Sequence, residues 1–154
     1  QAIQEAGDQA LHRRAVEWSQ SIPEPLPAML AGLRATTVYF LEHPNFLKLR
    51  LHGGFTWGTE PSASGSQGRT ESWRLALERL RASCRRCIEA GVFIDRDPYL
   101  IARMVVSMQQ VELAHWLEGG MVRDPEQVAN DLEEQVARAF HVAPPREATA
   151  STEQ

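Results

Sequence analysis

Three groups of residues have side-chain types and spacings that could do chemistry. Cys84-Arg85-Arg86-Cys87 is a C-x-x-C flanked by cations. Arg81, Arg85 and Arg86 near a thiol favour the thiolate, which is the form that reacts with oxidants, so one reading is a redox sensor. The competing reading, favoured by the helical stripe that Cys84 and Cys87 share with Trp73, Leu77 and Leu80, is a pair of buried thiols acting as small hydrophobes. Zinc is disfavoured because no second cysteine or histidine pair stands at ligand spacing. Glu112 and His115 form the i, i+3 carboxylate–histidine pair of di-iron bundles, but those sites need two copies and two further glutamates from facing helices. With one copy present, the pair reads as a partly buried histidine with its partner, or as polar contacts in a mainly apolar pocket. No nucleophile, base and orienting residue stand together, and no glycine-rich loop follows a strand. The chain is therefore expected not to be an enzyme, with no catalytic residue, metal or cofactor assigned.

The elements that must position these residues are helices. Apolar residues recur at three and four rather than at two, and strand signals are nearly absent. Leu11, Ala15, Trp18 and Ile22 predict a first helix, ended by Pro23, Pro25 and Pro27. A second is expected from about Pro27, with Leu26, Met29, Leu30, Leu33, Phe40 and Leu41 as its buried stripe, and a short third from Pro44 to Leu51. The glycine- and serine-rich segment from Gly53 to Arg69 reads as a long loop. A fourth helix is expected from Thr70 to Ala90, capped by Gly91, with Arg74, Arg81, Arg85 and Glu89 away from its apolar stripe. Asp97-Pro98 and Asp124-Pro125 each combine an N-cap with a first-turn proline and should open the last two helices. The expected architecture is all-α, about six helices in one domain over residues 1–142, followed by a disordered tail over 143–154.

The totals narrow the function. The chain has 154 residues, 43% of them apolar, enough for one sizeable core. It contains neither the roughly 18 uninterrupted apolar residues of a membrane span nor the apolar run of a secretory signal at its start, so a cytoplasmic protein without a membrane partner is expected. Its 16 basic and 20 acidic residues give a net charge of −4, which gives the domain no electrostatic reason to hold phosphate backbones by itself. Gln1 is not an initiator, and the residues after it already read as mid-helix, so upstream sequence is expected.

The helix from Pro98 to about Glu118 carries most of the functional expectation, because its residues are apolar most of the way round and it must be buried on more than one side. At about 100° per residue, Ile101, Met104, Val105, Met108, Glu112 and His115 share one stripe. Tyr99, Val106, Gln110, Leu113, Ala114 and Leu117 share the opposite one. The first stripe is expected to face the domain core. The second is expected to face another copy of the chain beside the helix Pro125 to His141, with Val128, Leu132 and Val136 completing a two-fold homodimer interface.

The run Thr37-Val38-Tyr39-Phe40-Leu41-Glu42-His43-Pro44, followed by Phe46, Leu47 and Leu49, resembles the Y-x-x-x-H-P segment of TetR-family C-terminal domains. So does the later order: Glu89-Ala90-Gly91-Val92-Phe93, Arg96-Asp97-Pro98 opening a long apolar helix, Trp116-Leu117-Glu118-Gly119, then Asp124-Pro125-Glu126 opening the last helix. The likeness runs from Leu26 to Phe140. It implies a ligand-sensing and dimer-forming domain whose last two helices build a four-helix interface with a partner. It also implies a DNA-reading helix-turn-helix domain that has no counterpart here, so operator DNA would be met only through that missing N-terminal domain.

A pocket for a small, largely apolar effector is expected between the helix carrying Leu33, Thr37 and Phe40, the helix carrying Trp73, Leu77 and Cys84, and the Met104 and Met108 stripe, with Glu112 and His115 as polar contacts. Phe55 and Trp57 either help the loop close over that pocket or anchor it to the core. The alternative function is a helical protein-interaction module without a ligand; a ferritin-like metal enzyme is more distant.

Overall fold

The computed structural model describes residues 2–53, 57–59 and 67–143. Six helices follow one another: α1 (Ala2–Ser19), α2 (Pro25–Glu42), α3 (Pro44–His52), α4 (Gln67–Glu89), α5 (Pro98–Glu118) and α6 (Pro125–Phe140). The all-α, six-helix expectation holds, and among the described residues the only extended pairing is an isolated bridge between Phe93 and His141. The expected lid residue Phe55 and all of the expected tail beyond residue 143 lie outside the described residues.

The boundaries follow from the punctuation. Asp97 accepts from the Tyr99 amide at 2.9 Å and Asp124 from the Glu126 amide at 3.3 Å, so both aspartates cap their helices and the prolines fill the next position. Gly91, at φ 74°, ends α4 as expected. Two boundaries differ from the sequence reading. Helix α2 starts at Pro25, since proline is tolerated anywhere in a first turn. Helix α4 starts at Gln67, three residues inside the expected loop.

Helix α2 is the centre of the molecule, packing on α1, α3, α4, α5 and α6. Two apolar clusters lie along it. Met29 and Leu33 meet Trp73, Leu77, Cys84, Cys87, Phe93, Ile101, Val105, Leu132 and Val136. Phe40 and Leu41 meet Leu11, Phe46, Leu47, Trp57, Leu113, Trp116 and Val128. Between them in register stand Thr37 on α2 and Gln109 on α5, both buried. Gln109 Nε2 donates to the Thr36 hydroxyl at 2.9 Å and the Thr37 hydroxyl at 3.0 Å, and each hydroxyl donates to the Leu33 carbonyl, so the polar layer is internally bonded.

Helix α1 is held chiefly by α2 and, at one end, by α3. A Cβ on Gly7 would lie 2.4 Å from the Phe46 ring, so only glycine lets the two helices approach this closely. Next to it the Arg50 guanidinium donates to Asp8 at 2.9 Å. Trp18, expected on the buried stripe of this helix, is 39% exposed, and α1 stops before Ile22. With Leu11 and Ala15 already filling the contact with α2, the stripe ends a turn earlier than the spacing suggested.

The two faces of α5 are rotated relative to the expectation. Its buried arc is Ile101, Ala102, Val105, Gln109, Leu113 and Trp116, because α4 and α6 flank it and α2 lies beneath. Leu113 is 0% exposed within the single chain, as are Val128 and Val136, with Leu132 at 2%. These four therefore belong to the domain's own core and not to an interface. Tyr99, Val106, Gln110, Ala114 and Leu117 are half-buried at the edges of that arc. Leu100, Met104 and Met108 are half-buried as well, the two methionines packed against the first cluster, whereas Val111 is 68% exposed.

Candidate functional site

A cavity of about 580 Å³ opens between α1, α2 and α4, with Val106 and Gln109 of α5 and Trp57 contributing to its wall. Its volume falls in the range of small-molecule sites. It exists because α1 packs closely on α2 but only lightly on α4, leaving a wedge between α1 and α4. Helix α2 supplies Ala28, Met29, Gly32, Leu33, Thr36 and Phe40, and α4 supplies Trp73, Ala76, Leu77 and Leu80. Leu11 and Val16 of α1 complete the apolar lining.

Five of the expected pocket residues meet here: Leu33, Phe40, Trp57, Trp73 and Leu77. Thr37 does not; its hydroxyl is turned into the core toward Leu33 and Gln109, and its neighbour Thr36 lines the cavity. Cys84 lies behind the wall in the core, its Sγ 3.9 Å from the Met29 Sδ. Met104 and Met108 are half-buried against the first apolar cluster and do not line the cavity. Glu112 pairs with Arg123 at 3.2 Å, and His115 is exposed, so this pair is neither a pocket contact nor a ligand set. Among the described residues no three His, Cys, Asp or Glu side chains cluster in a way that could hold a metal.

Trp57 is held from several sides. It is 5% exposed, its indole ring stands 5.0 Å from Phe40, and its amide donates to the Gln110 side-chain oxygen at 2.9 Å. Trp73 Nε1 in turn donates to the Trp57 carbonyl at 2.8 Å, and Arg103 Nε donates to the Gly58 carbonyl at 2.6 Å. These bonds clamp residues 57–59 between α4 and α5. Of the two readings of this tryptophan, the anchor is the one observed, and the anchored ring is also a wall of the cavity.

The polar groups of the wall come from α1, which the sequence reading left out of the pocket, and from residues of α4 that it did not assign there. Arg79 of α4 donates through Nη1 to His12 Nδ1 of α1 at 2.7 Å. Because a guanidinium only donates, that nitrogen must be the unprotonated one. Burial and the Arg79 charge both push the His12 pKa below its ordinary value, and burial lowers that of Arg79. Arg86, Ser83 and Ser72 follow on the same side of α4, and Arg13, Ser19 and Gln20 face them from α1. Arg86 was read from the sequence only as a cation beside the cysteines and Arg79 was not singled out, and nothing in the sequence said that α1 would stand opposite them.

Burial settles the state of the two thiols. It pushes the Cys84 pKa up to about 12, helped by Cys87, and that of Cys87 up to about 11 against a small opposing effect of Arg86. Both side chains are fully buried. The arrangement therefore lacks the accessible thiolate that redox sensing requires.

No protein-family model matches the chain, and no curated protein matches it. In fold it is similar to a solved protein with unknown function from Rhodococcus sp. RHA1, with a TM-score of 0.72 over 92% of this chain and 72% of that one. The two share 15% sequence identity, so the likeness is one of fold alone. No helix among the described residues is long and apolar enough to cross a membrane.

Proposed function

We propose that this chain is the effector-binding and dimer-forming domain of a one-component transcriptional regulator acting in the cytoplasm, and that its signal is a small, largely apolar molecule held in the cavity between α1, α2 and α4. The observation that carries this reading is the cavity itself: about 580 Å³ walled by aromatic and aliphatic side chains, with a few polar groups at one side. The TetR-like order of segments supports it. So does the size of the solved neighbour, more than a quarter of which lies outside the match and leaves room for a further small domain in that protein. An effector that favours one arrangement of α1 against α4 shifts the balance between two subunit arrangements, and operator contact belongs to a domain outside this chain.

An apolar compound that fits should raise the melting temperature by preferring the folded state, and should change the fluorescence of Trp57 and Trp73, which both line the cavity. Ala76→Phe projects a ring into the empty space from α4. It should weaken such a ligand at least tenfold while costing less than about 1.5 kcal/mol, because there is room for the added volume. A broad apolar screen without any shift, together with an Ala76→Phe variant destabilised like an overpacked solid core, would refute the reading. Reading the gene upstream of Gln1 separates it from an interaction module: a basic helix-turn-helix unit supports the regulator.

The homodimer in this reading uses the apolar side chains of α5 that its own domain leaves partly or fully open. Leu100, Met104 and Met108 are half-buried and Val111 is 68% exposed, apolar side chains whose remaining open surface would match a second copy across a two-fold axis. Sedimentation at micromolar concentration should give a dimer. The pair Met104→Glu and Val111→Glu should convert it to a folded monomer; a dimer surviving this change would exclude this surface.

A further inference from the structure

The cavity is apolar in its walls but cationic at its mouth, against the charge of the whole molecule. Among its lining residues stand Arg13, Arg50, Arg79 and Arg86, with Asp8 the sole carboxylate. Asp8 is taken by Arg50 at 2.9 Å, which leaves three guanidinium groups uncompensated in a chain of net charge −4. Among the described residues neither Arg13, Arg79 nor Arg86 is paired with a carboxylate. Arg79 is the most enclosed of them, since burial alone lowers its pKa.

A desolvated cation is costly unless an anion or strong acceptor meets it. Arg79 has one acceptor, the neutral imidazole of His12, which returns no charge. Four of the five guanidinium donors therefore remain to be satisfied from solvent or from a ligand in the cavity. Arg86 lies seven residues further along the same face of α4, with the Ser83 hydroxyl between them at 3.2 Å from the Arg86 Nη2. The planar fork of arginine matches a carboxylate, with which it forms paired, charge-assisted hydrogen bonds.

We propose that the cavity takes an amphipathic monoanion, an apolar body carrying one carboxylate, with the body among Leu33, Phe40, Trp57 and Trp73 and the head group bound by Arg79 at the α1–α4 mouth, where Arg86 adds to the attraction. This rests on reading the cavity as an effector site. The head group bridges α4 to His12 of α1, so it acts on a contact far lighter than the one between α1 and α2.

Calorimetric titration of the chain with decanoate and naphthoate, each beside the alcohol of the same body, separates the two levels of the argument. A carboxylate should bind roughly tenfold to a hundredfold more tightly than its alcohol, the range expected of a hydrogen bond to a charged group. Arg79→Met should reduce the carboxylate to the affinity of the alcohol and leave the alcohol's own affinity unchanged; Arg79→Lys should retain part of the preference. Equal binding of acid and alcohol to the unaltered chain overturns the head-group assignment and leaves the effector site standing. Binding of neither overturns both. A preference for the acid that persists undiminished in Arg79→Met, with the variant's unliganded melting temperature unchanged, shows that Arg79 is not the receptor.

Discussion

Leu113→Glu should unfold this domain and not merely separate two copies of it. The side chain is fully enclosed by Phe40, Trp57, Trp116 and Val128 in the second apolar cluster. Removing a buried leucine side chain costs about 2–5 kcal/mol, and placing an unpaired carboxyl group in the same space adds several kcal/mol more, whether it ionises or binds a proton. A domain of this size has about 5–15 kcal/mol of total stability, so the sum is enough to empty the native state or nearly so. Far-ultraviolet circular dichroism should show loss of cooperative melting. Val111→Glu, two residues away and 68% exposed, should leave the melting temperature within a few degrees of the parent. A cooperative, parent-like melt for Leu113→Glu would mean that α5 is turned the other way, with Leu113 in a subunit interface.

Native Cys84 should react with a thiol reagent about a thousandfold more slowly than the same cysteine in the unfolded chain. With its pKa at about 12 instead of the ordinary 9.0, roughly one thiol in ten thousand is ionised at pH 8, against roughly one in ten when unfolded. Its complete burial blocks the reagent as well. Labelling in buffer and in denaturant, followed by mass spectrometry, measures the ratio; comparable rates in the two would restore the sensor reading. The same shift makes a statement about alkaline stability. The folded thiol keeps its proton where the unfolded one has released it, so the contribution is fully present below pH 9.0 and is lost as pH rises toward about 12. In Cys84→Ala the melting temperature should start lower, because a buried sulfur is gone, but fall less steeply above pH 9.

The sequence by itself determined the helices and the places where they stop. Those depend on neighbours in the chain: Pro98 and Pro125 after aspartates that cap, Gly91 where α4 must turn, and apolar spacing that makes each segment amphipathic. It also determined that Cys84 and Cys87 share the buried stripe of α4, since helical register alone puts both beside Trp73 and Leu77. Leu33, Phe40, Trp73 and Leu77 were legible for the same reason, being apolar side chains of α2 and α4, and Trp57 because a purely solvated segment would not carry it.

Which helix stands opposite which was settled by packing between distant segments. An apolar helix such as α5 carries no sign of which arc faces its own domain. The choice went to Ile101, Val105, Gln109 and Leu113, because α2 beneath it offers Thr36 and Thr37 to satisfy the Gln109 amide. That choice moved Met104 and Met108 out of the pocket, sent Leu113 into the core with Val128, Leu132 and Val136, and left Val111 outside. The polar side of the cavity was likewise invisible, since Arg79 reads as one more flanking charge until α1 brings His12 to within 2.7 Å of it. Local rules fix where a helix begins and ends; its rotation and its partners depend on contacts between residues distant in sequence, and no local pattern encodes those.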